Sequence, residues 1–191
     1  MSKDKWVKDR WTKYDDSLYF GGDFSHDPEV EARQLAYARE LNIVTFIDLR
    51  DEATEDDALI AADHGFRYIN IPRDDDGKDI GPTWWNEFLN VMTEQAPAGP
   101  ILVYCHMGIN RAPSAIAAWL VHNPNYNLGL LEAWGVVRDL RPQAWASYYP
   151  DFLDNCYGPR ARSVSIDIRN NLKKNAAKIN RVIRETRRQS V

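Results

Sequence analysis

Ile101-Leu102-Val103-Tyr104-Cys105-His106-Met107-Gly108-Ile109-Asn110-Arg111-Ala112-Pro113-Ser114-Ala115-Ile116 is the stretch from which the rest of the chain is read. A β-branched apolar run ends at Tyr104, Cys105 opens a loop that reaches Arg111 with Gly108 inside it, and an apolar helical pattern follows at once. The pattern predicts a strand, an anion-cradling loop and a helix N-terminus. Such a loop turns successive backbone N–H groups inward, and the helix dipole adds positive potential at the same point. Phosphate or a phosphate-like group is the natural occupant. Gly108 supplies a backbone conformation that a side chain would obstruct, and Arg111 offers a planar fork matched to two phosphate oxygens. Cys105 sits where the same field favours a thiolate, the nucleophilic form of cysteine.

The spacing of Cys105 and Arg111, with five residues between them and Gly108 in the middle, resembles the phosphate-binding loop of the cysteine-dependent protein tyrosine phosphatase superfamily. Cys-x5-Arg alone is a weak signal. The preceding strand, the internal glycine and the following helix make it specific. The resemblance extends over about 140 residues, from Leu18 to Cys156, and is similar in particular to the compact dual-specificity phosphatases. It rests on Leu18-Tyr19-Phe20-Gly21-Gly22, a helix, Ile43 to Leu49, Tyr68 to Pro72 with an acidic loop, and Glu132-Ala133 and Val137-Arg138 leading into Arg141-Pro142.

At 191 residues with 44% hydrophobic content, the chain suits one domain with an ample core and a tail. No apolar stretch approaches the ~20 residues of a membrane span, and the first six residues lack a signal peptide's apolar core. The expectation is a soluble, cytoplasmic protein. Two distant cysteines argue against a disulfide framework and fit a reducing compartment. Cys156, in an aromatic helical stretch, reads as buried, the alternative being a partner thiol for Cys105.

Residues 1–16 read as a polar surface segment pinned by Trp6 and Trp11. Residues 17–22 predict a short strand ending in a glycine turn. Asp27-Pro28 opens a helix through Leu35, Ala38 and Leu41 that Asn42 closes. Residues 43–49 are nearly continuous apolar and β-branched, as in a strand buried on both faces. A short helix around Asp57 to His64 stops at Gly65, and Phe66 to Ile71 is another strand. This alternation implies an α/β fold, a mainly parallel central sheet flanked by helices, with residues 17–158 as the catalytic domain.

The acidic run Asp74-Asp75-Asp76 lies about thirty residues before Cys105. A carboxylic acid on a loop beside the nucleophile can protonate the leaving oxygen and later accept a proton from the hydrolytic water. The resemblance places the family's acid in this triplet. Matching from Ile71-Pro72 favours Asp75, and matching from Asp79-Ile80 favours Asp74; Asp76 ranks third. The implied mechanism is in-line attack by Cys105 while Arg111 and the amides of Cys105, His106, Met107, Gly108, Ile109 and Asn110 hold the phosphoryl oxygens. A phosphocysteine forms and water releases phosphate, with no metal or cofactor required.

Two positions depart from the family pattern. Tyr104 stands where a His commonly supports the nucleophile. Ala112 stands where a hydroxyl commonly donates to the departing sulfur, with Ser114 two residues on, so slow breakdown of the intermediate is expected. Phosphotyrosine, with phosphoserine or phosphothreonine beside it, is the expected substrate class, carried on a protein or peptide. Arg111-Ala112-Pro113 also resembles glucan phosphatases, and Gly108 to Arg111 resembles RNA 5′-triphosphatases. The loop lacks the lysines of inositol-phosphate members, and His106 is either an extra donor or silent. Seven tryptophans, the Trp84-Trp85 pair after the acidic loop among them, offer stacking on sugar rings or aromatic phosphoamino acids, while most of them read as core or helix-packing residues. A phosphate-recognising binding module with little turnover is the reading from another class, and Tyr104 and Ala112 favour it.

From Pro159 onward, ten Arg and Lys stand against Asp167 and Glu185, a net +8, so the rest of a chain of net −4 carries −12. Ile168, Leu172, Ala176, Ile179 and Ile183 fall at helical spacing. Residues 159–191 therefore predict a basic amphipathic helix that packs on its own acidic domain or contacts an acidic partner, a nucleic acid or a membrane surface.

Overall fold

The computed structural model describes Val7 and residues 9–189, with side chains throughout except at residues 178–180 and 182–189. Trp6, and the side chains of Ile179 and Ile183, lie outside the described residues. Five strands form one sheet: β1 (Trp11–Lys13), β2 (Leu18–Gly22), β3 (Thr45–Arg50), β4 (Arg67–Arg73) and β5 (Ile101–Cys105), in the order β1-β2-β5-β3-β4. Among these five strands only the β1–β2 pairing is antiparallel, and a lone antiparallel bridge joins Gly22 to Met107. The helices are α1 (Pro28–Glu40), α2 (Glu55–Asp63), α3 (Pro82–Gln95), α4 (Arg111–His122), α5 (Leu130–Leu140), α6 (Tyr149–Cys156) and α7 (Arg162–Gln189). This is the α/β, mainly parallel architecture that the alternation of patterns predicts. Among the described residues no helix is long and apolar enough to cross a membrane.

The core explains why β5 is central. Ile101, Val103 and Cys105 point to one face, where they join Ile47, Leu49, Trp85, Phe88 and Ile116. Leu102 and Tyr104 point to the other, with Trp11, Leu35, Phe46 and Phe66. That is the period-two alternation of a strand covered on both sides. Fully buried side chains such as Ile47 and Val103 contribute about 1.5–3 kcal/mol each by leaving water.

Local signals place the helix starts. Asp27 accepts from the N–H groups of Glu29 (2.9 Å) and Val30 (3.4 Å), and Pro28 occupies the first turn. Thr54 and Asp57 form a reciprocal cap on α2, with the Thr54 N–H donating to Asp57 at 2.8 Å. Asn42 and Gly65, both with positive φ (56° and 80°), follow the C-caps of α1 and α2 and turn the chain toward β3 and β4.

Three expectations change. Gly21 and Gly22 are not a turn. They complete β2 opposite Tyr104 and Cys105, because other backbone comes too close for side chains: a Cβ on Gly21 would lie 2.2 Å from the Arg10 carbonyl oxygen. Within the segment read as surface, Trp11 is buried and Trp11–Lys13 adds a strand to the sheet. Cys156 is exposed rather than buried. Tyr149, Phe152 and Leu153 carry the inward stripe of α6, the helix ends there, and Tyr157 packs on Phe152 in its stead (5.6 Å between ring centroids).

α7 docks its first turns on the domain. Ser165, Ile168 and Leu172 are buried, and Arg169 bridges Asp151 (3.0 Å) and Asp154 (2.6 Å) on α6.

Candidate active site

The carboxyl ends of β3, β4 and β5 converge on one edge of the sheet, where ligands bind in folds of this type. Following them come Asp51 and Glu52, then Asp74 to Asp76, then the loop 105–111. They bound an open cleft of about 720 Å³ whose lining includes Glu52, Asp75, Cys105, Arg111, Trp145 and Tyr148.

The orientation of the loop follows from its carbonyls. His106 O accepts from Arg10 Nη2 (2.6 Å) and from the N–H of Asp23 (3.3 Å). Met107 O accepts from Arg141 Nη2 (3.3 Å), Gly108 O from Arg141 Nε (2.6 Å) and Ile109 O from the N–H of Trp145 (2.6 Å). Four successive carbonyls are thus tied to groups outside the loop. In a trans peptide the C=O and N–H point in opposite directions, so the N–H groups of residues 107, 109 and 110 turn away from these ties, while Gly108 lies against β2, where Met107 and Gly22 form an antiparallel bridge. Gly108 makes this arc fit. Its φ is +64°, and a Cβ there would lie 2.3 Å from the carbonyl carbon of Gly21. Arg141 is buried, which pushes its guanidinium down to about 10, still cationic at neutral pH, and it adds positive charge behind the loop.

Cys105, at the end of β5, is buried, and its Sγ accepts from the N–H of Ala112 at 3.5 Å. Arg111 is the first residue of α4 and is also buried. Its Nη1 donates to Glu52 Oε2 (3.0 Å), Asp51 Oδ1 (3.1 Å) and Arg73 O (2.8 Å), and its Nη2 to Glu52 Oε1 (3.0 Å). Burial disfavours the charged guanidinium, but Glu52 and the nearby Cys105 outweigh it and raise its proton affinity. Burial also works against the Glu52 carboxylate, and Arg111 holds it below the usual range nonetheless. Arg111 Nε is buried without a partner among the described residues, a donor available to an anion.

Asp75 lines the cleft, and its Oδ1 accepts from Asn110 Nδ2 (2.8 Å) and Tyr148 Oη (3.0 Å). Asp76 is committed elsewhere: it holds the turn through Lys78 Nζ (2.6 Å), the Lys78 N–H (2.9 Å) and Arg73 (3.2 Å), and its carboxyl is lowered by Lys78 first. Asp76 also lines the cleft, Asp74 does not, and all three residues are exposed.

Tyr104 points away from the loop, onto the opposite face of the sheet, where Arg50 lies over its ring at 5.5 Å. Arg50 is itself buried and pairs with Asp48 (2.7 Å), Asp57 (2.8 Å) and Asp23 (3.3 Å). Asp23 also binds Arg10, and it accepts from His106 Nδ1 at 2.9 Å. The Asp23 bond, opposed by partial burial, raises the His106 imidazole. Ser114 is buried, its Oγ accepts from the N–H of Tyr148 (3.2 Å), and among the described residues it makes no hydrogen bond to the sulfur. Trp145 lines the cleft; Trp84 and Trp85 are not among its lining residues. Glu52, Asp23 and Tyr148 were not singled out from sequence. The signal for Glu52 was its place two residues beyond the carboxyl end of a buried strand.

A family model for the dual specificity phosphatase catalytic domain matches residues 28–149, and the chain belongs to that family of phosphatases. Solved structures of similar fold include Tk-PTP in its active form, 20% identical, covering 76% of this chain and 94% of that one with a TM-score of 0.62. PTPMT1 in complex with PI(5)P is 14% identical, covering 87% and 99%, TM-score 0.60. The human tyrosine phosphatase-like serine/threonine/tyrosine-interacting protein is 14% identical, covering 75% and 93%, TM-score 0.57. No curated protein sequence matches the chain.

Proposed function

We propose that the chain hydrolyses phosphomonoesters, with phosphotyrosine and secondarily phosphoserine or phosphothreonine as substrates, through a phosphocysteine intermediate. The observation that supports this reading is the set of four carbonyls between Cys105 and Arg111 tied to groups outside the loop, which turns the N–H groups of residues 107, 109 and 110 toward the other side, where the buried thiol lies. A phosphoryl group held there presents phosphorus to Sγ. The S–P bond forms as the P–O bond breaks, the developing charge falls on the loop amides and Arg111, and Asp75 delivers a proton to the departing oxygen. Water then attacks phosphorus, Asp75 takes its proton, and the thiolate leaves. Arg111 fits the oxyanion through Nε while Glu52 holds the rest of the fork. A nucleophilic thiol suits the reducing cytoplasm.

The test is hydrolysis of an aryl phosphate and a phosphotyrosine peptide by the pure chain and by Cys105→Ser. The variant should lose turnover and keep vanadate binding, since amides and Arg111 remain. Retention of more than a small fraction of the wild-type rate would remove Cys105 from its role. A second reading, phosphate recognition with little turnover, is favoured by Ala112 and by the interacting protein among the structural relatives. Tight phosphopeptide binding without hydrolysis would support it.

A further inference from the structure

Two donors reach Asp75, and their directions can be worked out atom by atom. The main-chain N–H of Ser147 lies 2.8 Å from one amide atom of Asn110, and the Ser147 hydroxyl lies 2.7 Å from the same atom. A backbone N–H can only donate, so that atom is Oδ1 and the other is the NH2 group. The NH2 group lies 2.8 Å from Asp75 Oδ1 and has only hydrogens to offer it. Tyr148 is fixed in the same way. The N–H of Gly77 donates to its phenol oxygen at 2.9 Å, and the phenol hydrogen is directed to Asp75 Oδ1 at 3.0 Å. Burial, and then the charge of Asp75, push the Tyr148 phenol up to about 12, so its hydrogen is present across the neutral range.

Oδ1 of Asp75 therefore accepts twice. A proton placed on it would face the hydrogens of the Asn110 amide. When Asp75 is protonated, the proton belongs on Oδ2, which has no hydrogen-bond partner among the described residues. The same pair of bonds joins three separate segments. Asn110 belongs to the phosphate loop, Ser147 and Tyr148 to the connection before α6, and Asp75 and Gly77 to the loop after β4. Arg73 reinforces the junction, donating to Lys78 O (2.6 Å) and lying over the Tyr148 ring at 5.5 Å.

We infer that Asn110 and Tyr148 are positioning residues for proton donation: they latch the 74–79 loop onto the phosphate loop and assign the transferable proton to Oδ2 of Asp75. In the step so arranged, the Oδ2–H bond breaks and an O–H bond forms on the leaving oxygen, which also keeps the electron pair of the broken P–O bond. The carboxylate left behind is stabilised by the two donors on Oδ1, which strengthen as charge develops. The inference rests on Asp75 being the acid.

The experiment compares Tyr148→Phe, Asn110→Asp and Asp75→Asn in the full chain, using kcat/KM for aryl phosphates whose leaving phenols span pKa values from about 5 to about 10. Tyr148→Phe keeps the ring and removes the donor. Asn110→Asp keeps the acceptor for Ser147, turns the donor into an oxygen, and carries the test should Tyr148→Phe fail to fold. Each should lose about tenfold to a hundredfold on the least acidic phenol, with a loss that shrinks as the phenol becomes more acidic. In an Asp75→Asn background either should add less than about twofold. A loss uniform across the series, or one that multiplies with Asp75→Asn, overturns the latch. Asp75→Asn measured alone separates the two levels: if it leaves the leaving-group dependence unchanged, the acid assignment falls and the latch with it.

Discussion

Glu52 meets Arg111 at two points, Oε1 3.0 Å from Nη2 and Oε2 3.0 Å from Nη1. The pair joins the end of β3 to the start of α4, so the orientation of the Arg111 guanidinium is set by the strand beside the one that carries Cys105. The two residues come from different parts of the chain.

Glu52→Gln should therefore lower kcat/KM by about tenfold to a hundredfold, because one carbonyl and one NH2 group cannot face both ends of the fork. Thermal stability should change by no more than about 1 kcal/mol, since the Glu52 side chain is 45% exposed and solvent screens the pair. Kinetics together with a melting curve check both halves. A large fall in melting temperature with a normal rate would make Glu52 a structural residue only.

Gly108→Ala should be more damaging than its size suggests. The added Cβ would meet backbone at 2.3 and 2.5 Å, and a φ of +64° is strained for alanine. Neither Gly21 nor Gly22 can yield, because Arg10 packs against both. We expect loss of phosphate or vanadate binding with a fall of about 1–3 kcal/mol in stability, measured by denaturant unfolding. Unchanged binding would show that the loop tolerates another path.

His106 should titrate above its ordinary 6.5, because Asp23 stabilises the imidazolium. With the folded value raised, the pair's contribution is fully present below pH 6.5 and is lost as pH rises through the folded value. The imidazole is more than half exposed, so screening keeps the effect small. NMR titration of the ring checks it. A midpoint at or below 6.5 would show that Asp23 is committed to Arg10 and Arg50 alone.

The contiguous parts of the site were legible in the sequence. Cys105, Gly108 and Arg111 lie within seven residues of one another, and their setting, strand before and helix after, is written in the same stretch. The parallel sheet was legible because residues 43–49, which run into the buried strand Thr45–Arg50, are mostly apolar and β-branched, and because capped helices separate the strands. The partners of the loop were not. Gly21 and Gly22 look like a turn to any local reading, and only the approach of Arg10 and Gly108 explains them. Glu52 and Tyr148 act through contacts spanning 59 and 73 residues of chain, to Arg111 and Asp75, which no periodicity records. Cys156 was misread because α6 stops where its apolar stripe would have continued.

Ala112→Ser bears on the second half of the reaction. Only the Ala112 N–H lies within hydrogen-bonding reach of Sγ among the described residues, at 3.5 Å, and no hydroxyl, that of Ser114 included, reaches it. If departure of the thiolate limits turnover, a rapid burst of phenol should precede the steady state in the wild type. In Ala112→Ser the steady rate should rise and the burst shrink. Absence of a burst in both would place the slow step elsewhere.

The acid itself can be assigned through the leaving group. Para-nitrophenol departs almost unaided, whereas the phenol of tyrosine, with pKa near 10, needs a proton. Asp75 and Asp76 both line the cleft, but Asp76 holds the turn through Lys78 whereas Asp75 faces Asn110 and Tyr148, and Asp74 is not among the lining residues. Asp75→Asn should cut the rate on a phosphotyrosine peptide by about 10² to 10⁴ and the rate on para-nitrophenyl phosphate much less. The alkaline limb of its pH–rate profile should flatten, because deprotonation of the acid no longer limits activity, and the acidic limb should persist. Asp74→Asn is the control and should resemble the wild type. If the leaving-group-dependent loss appears in Asp74→Asn instead, the loop rearranges on binding substrate to bring that carboxylate inward; if it appears in neither, the proton comes from outside the acidic run.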